Sequence, residues 1–429
     1  EINDRFLQRV VTTWPGDLDR LRRMSLIEEG PQKQVRMAHL AVVGSHAVNG
    51  VAALHTELLK TSLLPDFYQL WPERFTNKTN GVTQRRWLLK ANPCLADLLC
   101  QTLGEGWITN LDELRALEPY AYERAFQQTF LDIKRRNKER LATLIRDTTQ
   151  ITVDPHTLFD IHVKRIHEYK RQLLNVMRII YEYLCLIEDG VEPVVPRTYI
   201  FAGKAAPGYW VAKQIIKLIN NVSQVINNDA RGRGLIKVVF LPDYRVLLAE
   251  KIIPAADLSE HISMAGTEAS GTSNMKCAMN GALIMGTLDG ANIEIMEEVG
   301  KENIFIFGLK AQEIQELRSH GAYHPREYYR QYPEVRRVVD ALASNLFCPQ
   351  EPGLFAWIAR LLLDEGDRYF HLADLPAYID TQRTVGEEFK RPLLWARKAI
   401  LNVARIGKFS SDRTVLEYAR DIWHIQRYC

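Results

Sequence analysis

Cysteine offers this chain very little. Its six cysteines (Cys94, Cys100, Cys185, Cys277, Cys348, Cys429) are scattered, with no CxxC pair and no metal-ligand spacing. That argues against a disulfide framework and a zinc centre, and suits a reducing, cytoplasmic setting. Excess charge is missing as well: 55 Lys and Arg against 52 Asp and Glu leave a formal +3. So small a surplus excludes nucleic acid as an expected partner, and any basic function has to be local. No apolar run approaches the roughly 20 residues of a membrane-spanning helix, so no membrane partner is expected. There is no signal-peptide pattern. No GxGxxG follows a strand-like run, which weakens a dehydrogenase reading.

What is present is ordinary in bulk, with 46% hydrophobic and 25% charged residues in 429, enough for two or three domains. The chain opens at Glu1 directly into a helical pattern (Phe6, Val10, Val11, Trp14), so its start reads as a cut. Residues 17–59 read as successive helices, with His39, His46 and His55 near an apolar stripe of Val35, Leu40, Val43 and Val48. Without carboxylates at ligand spacing, these histidines read as satisfied packing residues. The polar stretch Trp71–Thr83, punctuated by Pro72 and Gly81, reads as a loop or a domain entry.

From about Pro155 the pattern alternates. Thr157–Val163, Thr198–Ala202 and Ile236–Leu241 are strand candidates, and Ala282–Leu288 and Asn303–Gly308 are further short apolar runs. Helical periods span Glu168–Ile187, Pro207–Ile226 (with Pro at the first turn) and Arg245–Ile253. Alternation of this kind predicts a Rossmann-like α/β fold, a parallel sheet with helices on both faces. Ligands then belong at the carboxyl ends of the strands, where Lys164, Lys204, Asp243 and Asp289 fall. After Gly308 the chain is charged and helical, and the aromatic run Glu327–Tyr332 is assigned no site.

One stretch carries distinctive chemistry. Gly266-Thr-Glu-Ala-Ser-Gly-Thr-Ser-Asn-Met-Lys276 is small and hydroxylic, then turns helical at Met275, Ala278 and Met279. A helix opening near Thr272 or Ser273 would have a hydroxyl cap and free N–H groups that suit a phosphate. Lys276 lies about one turn inside, within reach of a carbonyl compound anchored there. Cys277 beside it reads as a small buried filler. A second stretch, Val163-Lys-Arg-Ile-His-Glu-Tyr-Lys-Arg-Gln172, sets the pairs Lys164/Arg165 and Lys170/Arg171 around His167 and Tyr169.

Together these stretches resemble the glycogen (alpha-glucan: starch, maltodextrin) phosphorylase family. The resemblance extends in order through Ser45–Gly50, Asn77–Gly81, Gly203–Tyr209, Asp289–Asn292 and Gly407–Thr414. It implies a GT-B glycosyltransferase architecture and the second half of a longer chain. Residues 1–80 would be the helical tail of the first domain, and 81–429 the Rossmann-like domain that binds pyridoxal phosphate. It further implies a glycosyltransferase (EC 2.4.1.1) that reversibly phosphorolyses terminal α-1,4-glucosyl bonds with retention. The partners would be α-1,4-glucan, orthophosphate and glucose 1-phosphate, in a homodimer of the full-length enzyme.

By the same resemblance, Lys276 carries the cofactor as an imine, and the cofactor's 5′-phosphate acts as proton partner to the substrate phosphate. Lys164, Arg245, Gly271, Thr272 and Ser273 would hold that phosphate, with Tyr244 and Trp87 packing nearby. Arg165 and Lys170 would hold the substrate phosphate, with Lys164 and His167 also in the catalytic set. Asn80, Tyr169, Glu268, Ala269, Ser270 and Gly271 would meet the sugar, with Glu268 as a hydroxyl acceptor. Tyr209 matches a purine-type inhibitor site. Three departures occur: Ser273 for Gly of animal members, Gln84 for Pro, and Ala202 for Gly. The family's other half supplies a catalytic His and Asp, so the isolated chain is expected to be inactive. Two rivals remain: a nucleotide-sugar glycosyltransferase, which would lack Lys276, and a pyridoxal phosphate-binding module inactive on its own.

Overall fold

The computed structural model describes residues 1–426; Cys429 lies outside the described residues. Its centre is a six-stranded, all-parallel sheet: β1 (Leu158–Val163), β2 (Arg197–Ala202), β3 (Ile236–Leu241), β4 (Leu258–His261), β5 (Leu283–Gly286) and β6 (Phe305–Ile306). The spatial order is β3-β2-β1-β4-β5-β6. This is the doubly wound order, and it reverses direction between β1 and β4. Both faces are covered by helices, so every residue of β1, β2, β4 and β5 is buried. A ligand crevice is therefore expected beyond the carboxyl ends of β1 and β4.

Three boundaries differ from the sequence expectation. The helix expected over Glu168–Ile187 is broken: a 3-10 turn covers Glu168–Lys170, and the α-helix is Gln172–Glu188. The break is Arg171, at φ +56°, whose side chain is buried on Asp374 (2.6 Å) and the Ile262 carbonyl (2.7 Å). Arg171 thus belongs to the core and not to a basic surface. Pro207 lies in the loop before the helix Trp210–Asn228, not in its first turn. The segment 17–59 mixes helices with short strands; Val48–Gly50 pairs in parallel with Phe75–Asn77, inside the stretch read as a loop.

The apolar interior divides near residue 80. Phe6, Val10, Phe67, Trp71 and Phe75 form one cluster, and the main core begins at Val82. The last helix, Ser411–Asp421, returns to the early segment: Tyr418 Oη accepts from Asn49 (2.7 Å) and Arg413 donates to the Thr79 carbonyl (2.6 Å). Gly81 permits that return, because a Cβ there would overlap the Ser410 carbonyl. Each early histidine has a partner: His39 the Ser25 carbonyl, His46 the Ile422 carbonyl, His55 the Val51 N–H. Among the described residues, no helix is long and apolar enough to cross a membrane.

Candidate functional site

The crevice is built from the loops after β1, β4 and β5. Lys164 follows β1 directly. Gly203, just beyond β2, lets the two loops touch, since a Cβ there would overlap the Lys164 carbonyl. Lys164 is partly buried, and burial pulls its ammonium down to about 8. Its Nζ lies 3.3 Å from His261 Nδ1, and His261 Nε2 lies 2.7 Å from Ser259 Oγ. Burial, with Lys164 beside it, holds His261 well below its ordinary value, so the ring is neutral. An ammonium can only donate, so Nδ1 accepts, Nε2 carries the proton and Ser259 Oγ receives it. The imidazole thereby fixes the direction of Lys164.

The second group joins the loops after β1 and β4. Lys170 Nζ is ion-paired with Glu268 and stands 4.5 Å from the Tyr169 ring centre. The sequence separates Lys170 from Glu268 by 98 positions; the fold puts the expected phosphate cation on the expected sugar acceptor. Asp289, after β5, organises the loop after β4. Its carboxylate accepts from Gly266 N (2.9 Å), Glu268 N (2.8 Å), Ser263 Oγ (2.6 Å) and Gly290 N (3.0 Å). Burial still pushes the Asp289 carboxyl up, despite these donors. Gly290, at φ +51°, lets the Ser270 carbonyl approach, and Ala291 N donates to that carbonyl (2.9 Å). Gly271 takes φ +77°, turning the chain into the helix Ser273–Met279.

That helix starts where expected, with Lys276 in its first turn, but Thr272 makes no side-chain cap; its carbonyl accepts from Lys276 N (3.2 Å). The Lys276 ammonium is 4.0 Å from the Trp87 ring centre, and burial lowers its pKa. No carboxylate lies within ion-pair reach of it among the described residues. Asn280 fixes the pair from behind, donating to the Trp87 carbonyl (2.7 Å) and the Lys276 carbonyl (2.9 Å). Cys277 is buried filler, its thiol pushed up by burial. Tyr244 is partly buried, and burial raises its phenol.

Other expected residues sit less deeply. Arg165 is exposed. Arg245 is exposed and paired with Asp243 (2.5 Å), which also meets Lys204 (3.1 Å). Asn80 is held by its N–H on the Val51 carbonyl (3.0 Å), while neighbouring Thr79 bonds Glu294 (2.6 Å) on the helix that follows Asp289. Ala269 and Ser270 ride on the Asp289-held loop, and the Ser270 hydroxyl donates to the Gly271 carbonyl (3.0 Å). His167 packs against Tyr169 (4.6 Å) and Tyr209 (4.9 Å), with a buried Nδ1 that has no partner among the described residues. Tyr209 Oη donates to Glu168 (2.5 Å).

Sequence reasoning did not single out His261 or Asn280, and placed Asp289 at the crevice without a role. A signal existed for each: a polar residue ending a strand, a lone amide in an apolar run, and an acid just past a strand end.

Comparison with known proteins follows the same outline. The family model described as carbohydrate phosphorylase matches residues 1–425. The chain is 54% identical over 426 residues to a glycogen phosphorylase of Synechocystis sp., covering 99% of this chain and 50% of that protein. It is 50% identical, with the same shares, to the muscle forms of glycogen phosphorylase from Mus musculus and Oryctolagus cuniculus. The chain therefore spans about half the length of the curated relatives it matches.

Proposed function

The chain belongs to the carbohydrate phosphorylase family, and from that premise we propose that it is the cofactor-bearing half of an alpha-glucan phosphorylase. The reaction is reversible phosphorolysis of a terminal α-1,4-glucosyl bond of glycogen, starch or maltodextrin, giving glucose 1-phosphate with retention. The observation that carries this reading is Lys276: a partly buried amine with a lowered pKa, set against Trp87 without a carboxylate partner. An amine so placed is easily freed of its proton and is a good nucleophile toward an aldehyde.

The donor set fits pyridoxal phosphate. Lys276 would meet the aldehyde, with Trp87 and Tyr244 beside it, and Lys164, Arg245 and the N–H groups from Gly271 to Ser273 would offer positive charge to the phosphate. When bound, the cofactor supplies a phosphate that exchanges a proton with the substrate phosphate. The chain's own residues do the rest. His261 aims Lys164 into the crevice. Arg165 and Lys170 neutralise the substrate phosphate, which lets two anions approach in a site of low dielectric. Glu268, with Asn80, Tyr169, Ala269, Ser270 and Gly271, receives sugar hydroxyls. Asp289 holds that loop, and His167 packs its floor. Lys170 and Glu268 exchange their mutual contact for their respective ligands, so sugar and phosphate binding are coupled.

Residues 1–80 are then the end of the first domain and 81–429 the cofactor domain, with the missing half completing the cleft. The full-length enzyme is cytoplasmic and homodimeric in this reading. The test is reconstitution: this chain plus the N-terminal half of a relative, given glucan and orthophosphate, produces glucose 1-phosphate. Pyridoxal phosphate binding without product in that mixture would leave only the binding-module reading.

A further inference from the structure

A second cavity lies away from the crevice, between the helix Arg124–Thr149 and the helices His371–Phe389 and Pro392–Ala404. Its volume is about 310 Å³, within the range of small-ligand sites. Three aromatic rings, Phe130, Phe389 and Trp395, stand in its walls. Phe130 is seated on Gly281, where a Cβ would collide with its ring, and Phe389 meets Trp395 edge-on at 5.1 Å.

Charge around this apolar space does not balance. Lys134, Arg135 and Lys138 come from successive turns of one helix, and Asp257 is the acid that lines the same cavity. Asp257 is already engaged: its Oδ2 accepts from Lys138 Nζ (2.6 Å) and Phe159 N (2.9 Å). Lys134 is buried and, among the described residues, makes no ion pair, though Asp257 acts on it through space; its Nζ donates to the carbonyls of Pro254 (3.1 Å), Ala256 (2.7 Å) and Asn280 (3.0 Å). Arg135 is half exposed, and its ion-pair partner is Asp132 at 3.7 Å. Carbonyl dipoles satisfy the Lys134 hydrogen bonds but do not cancel its charge, so the walls keep a positive potential in a poorly solvated space. Burial accordingly draws Lys134 down to about 8.

We propose that this cavity is a binding site for a small aromatic monocarboxylate, its ring against Phe130, Phe389 and Trp395 and its carboxylate toward Arg135. The shape accepts a flat apolar body and the surplus cations require an anion. Arg135, half exposed and in only a long ion pair with Asp132 (3.7 Å), is the cation that can turn to it. Neutral aromatics lack the charge, and inorganic anions leave the rings unfilled. No residue of this cavity lies in the proposed catalytic set.

The probe is 4-(trifluoromethyl)benzoate, followed by fluorine NMR line width on the whole chain, with the matching benzamide as the uncharged control. The carboxylate is expected to bind in the millimolar range or tighter. The benzamide and the Arg135→Glu variant are each expected to bind at least tenfold more weakly. Arg135 is surface-placed, so that variant should fold; unchanged circular dichroism checks this. A Leu131→Trp variant, which narrows the cavity, should also lose the carboxylate. Equal binding of acid and amide, binding indifferent to Arg135→Glu, or no broadening with the wild-type chain would each overturn the proposal.

Discussion

Replacing Asp289 by Asn removes a charge while nearly keeping the shape, so the response isolates what the carboxylate does. One oxygen takes Gly266 N and Gly290 N, and the other takes Glu268 N and the Ser263 hydroxyl. An amide keeps the first pair. On the other side it presents N–H groups to the Glu268 N–H; the Ser263 hydroxyl can rotate and accept, but the backbone cannot. A hydrogen bond to a charged acceptor, about 1.5–3 kcal/mol, is lost, and an orphaned N–H adds about 1–3 kcal/mol. Relief of charge burial, which the raised Asp289 carboxyl reveals, offsets part of this. The net is about 2 kcal/mol, or roughly 30-fold in local opening. Hydrogen exchange read by mass spectrometry should show the peptide over 266–270 exchanging faster by that factor, with β1 and β5 unchanged. Unaltered protection of the Glu268 amide would refute the claim that Asp289 holds the loop.

Three further outcomes follow from the same geometry. Gly203→Ala should cost about 1–3 kcal/mol in urea unfolding, because its Cβ meets the Lys164 carbonyl, which cannot step aside; an unchanged midpoint would remove that close approach from the account. Lys164, drawn down to about 8, makes the folded chain hold fewer protons than the unfolded one between that value and the ordinary lysine range. Its contribution to stability therefore rises with pH across that window. Competitive acylation with peptide mapping should place its inflection near 8 and, in His261→Phe, lower still; an ordinary lysine inflection would contradict the burial argument. Glu268→Gln releases Lys170, so orthophosphate should bind a few-fold tighter while glucose binds more weakly, both by calorimetry. Parallel loss of the two affinities would mean that the ion pair supports the site and does not compete with its ligands.

The parts legible in the sequence were those whose signal is local. β1, β2 and β3 are strand-length runs rich in apolar residues, and their lengths and the helical periods between them already imply the parallel sheet. Lys276 was legible because its motif is contiguous. β4 was not: Leu258-Ser-Glu-His261 carries no apolar run and predicts no strand, yet all four residues are buried, with Glu260 accepting from Gln382 (2.6 Å) and Ser259 meeting His261. Partners supplied 122 positions away cannot be seen in a four-residue run. Arg171 misled for the same reason, since Asp374 neutralises it across 203 positions. The strand Phe75–Asn77 is too short to carry a period, and only its pairing with Val48–Gly50 makes it one. Direct contact between Lys170 and Glu268 was likewise a tertiary fact; the family resemblance implied a ligand for each, and the 98 positions between them hid that they hold each other.

The central claim is that Lys276 carries the cofactor. Purified chain incubated with pyridoxal phosphate, reduced with borohydride and mapped by peptide mass should bear a phosphopyridoxyl group on Lys276. The Lys276→Ala variant should show no adduct at that peptide. An unmodified Lys276, both in this chain and after reconstitution with the N-terminal half, would contradict the account.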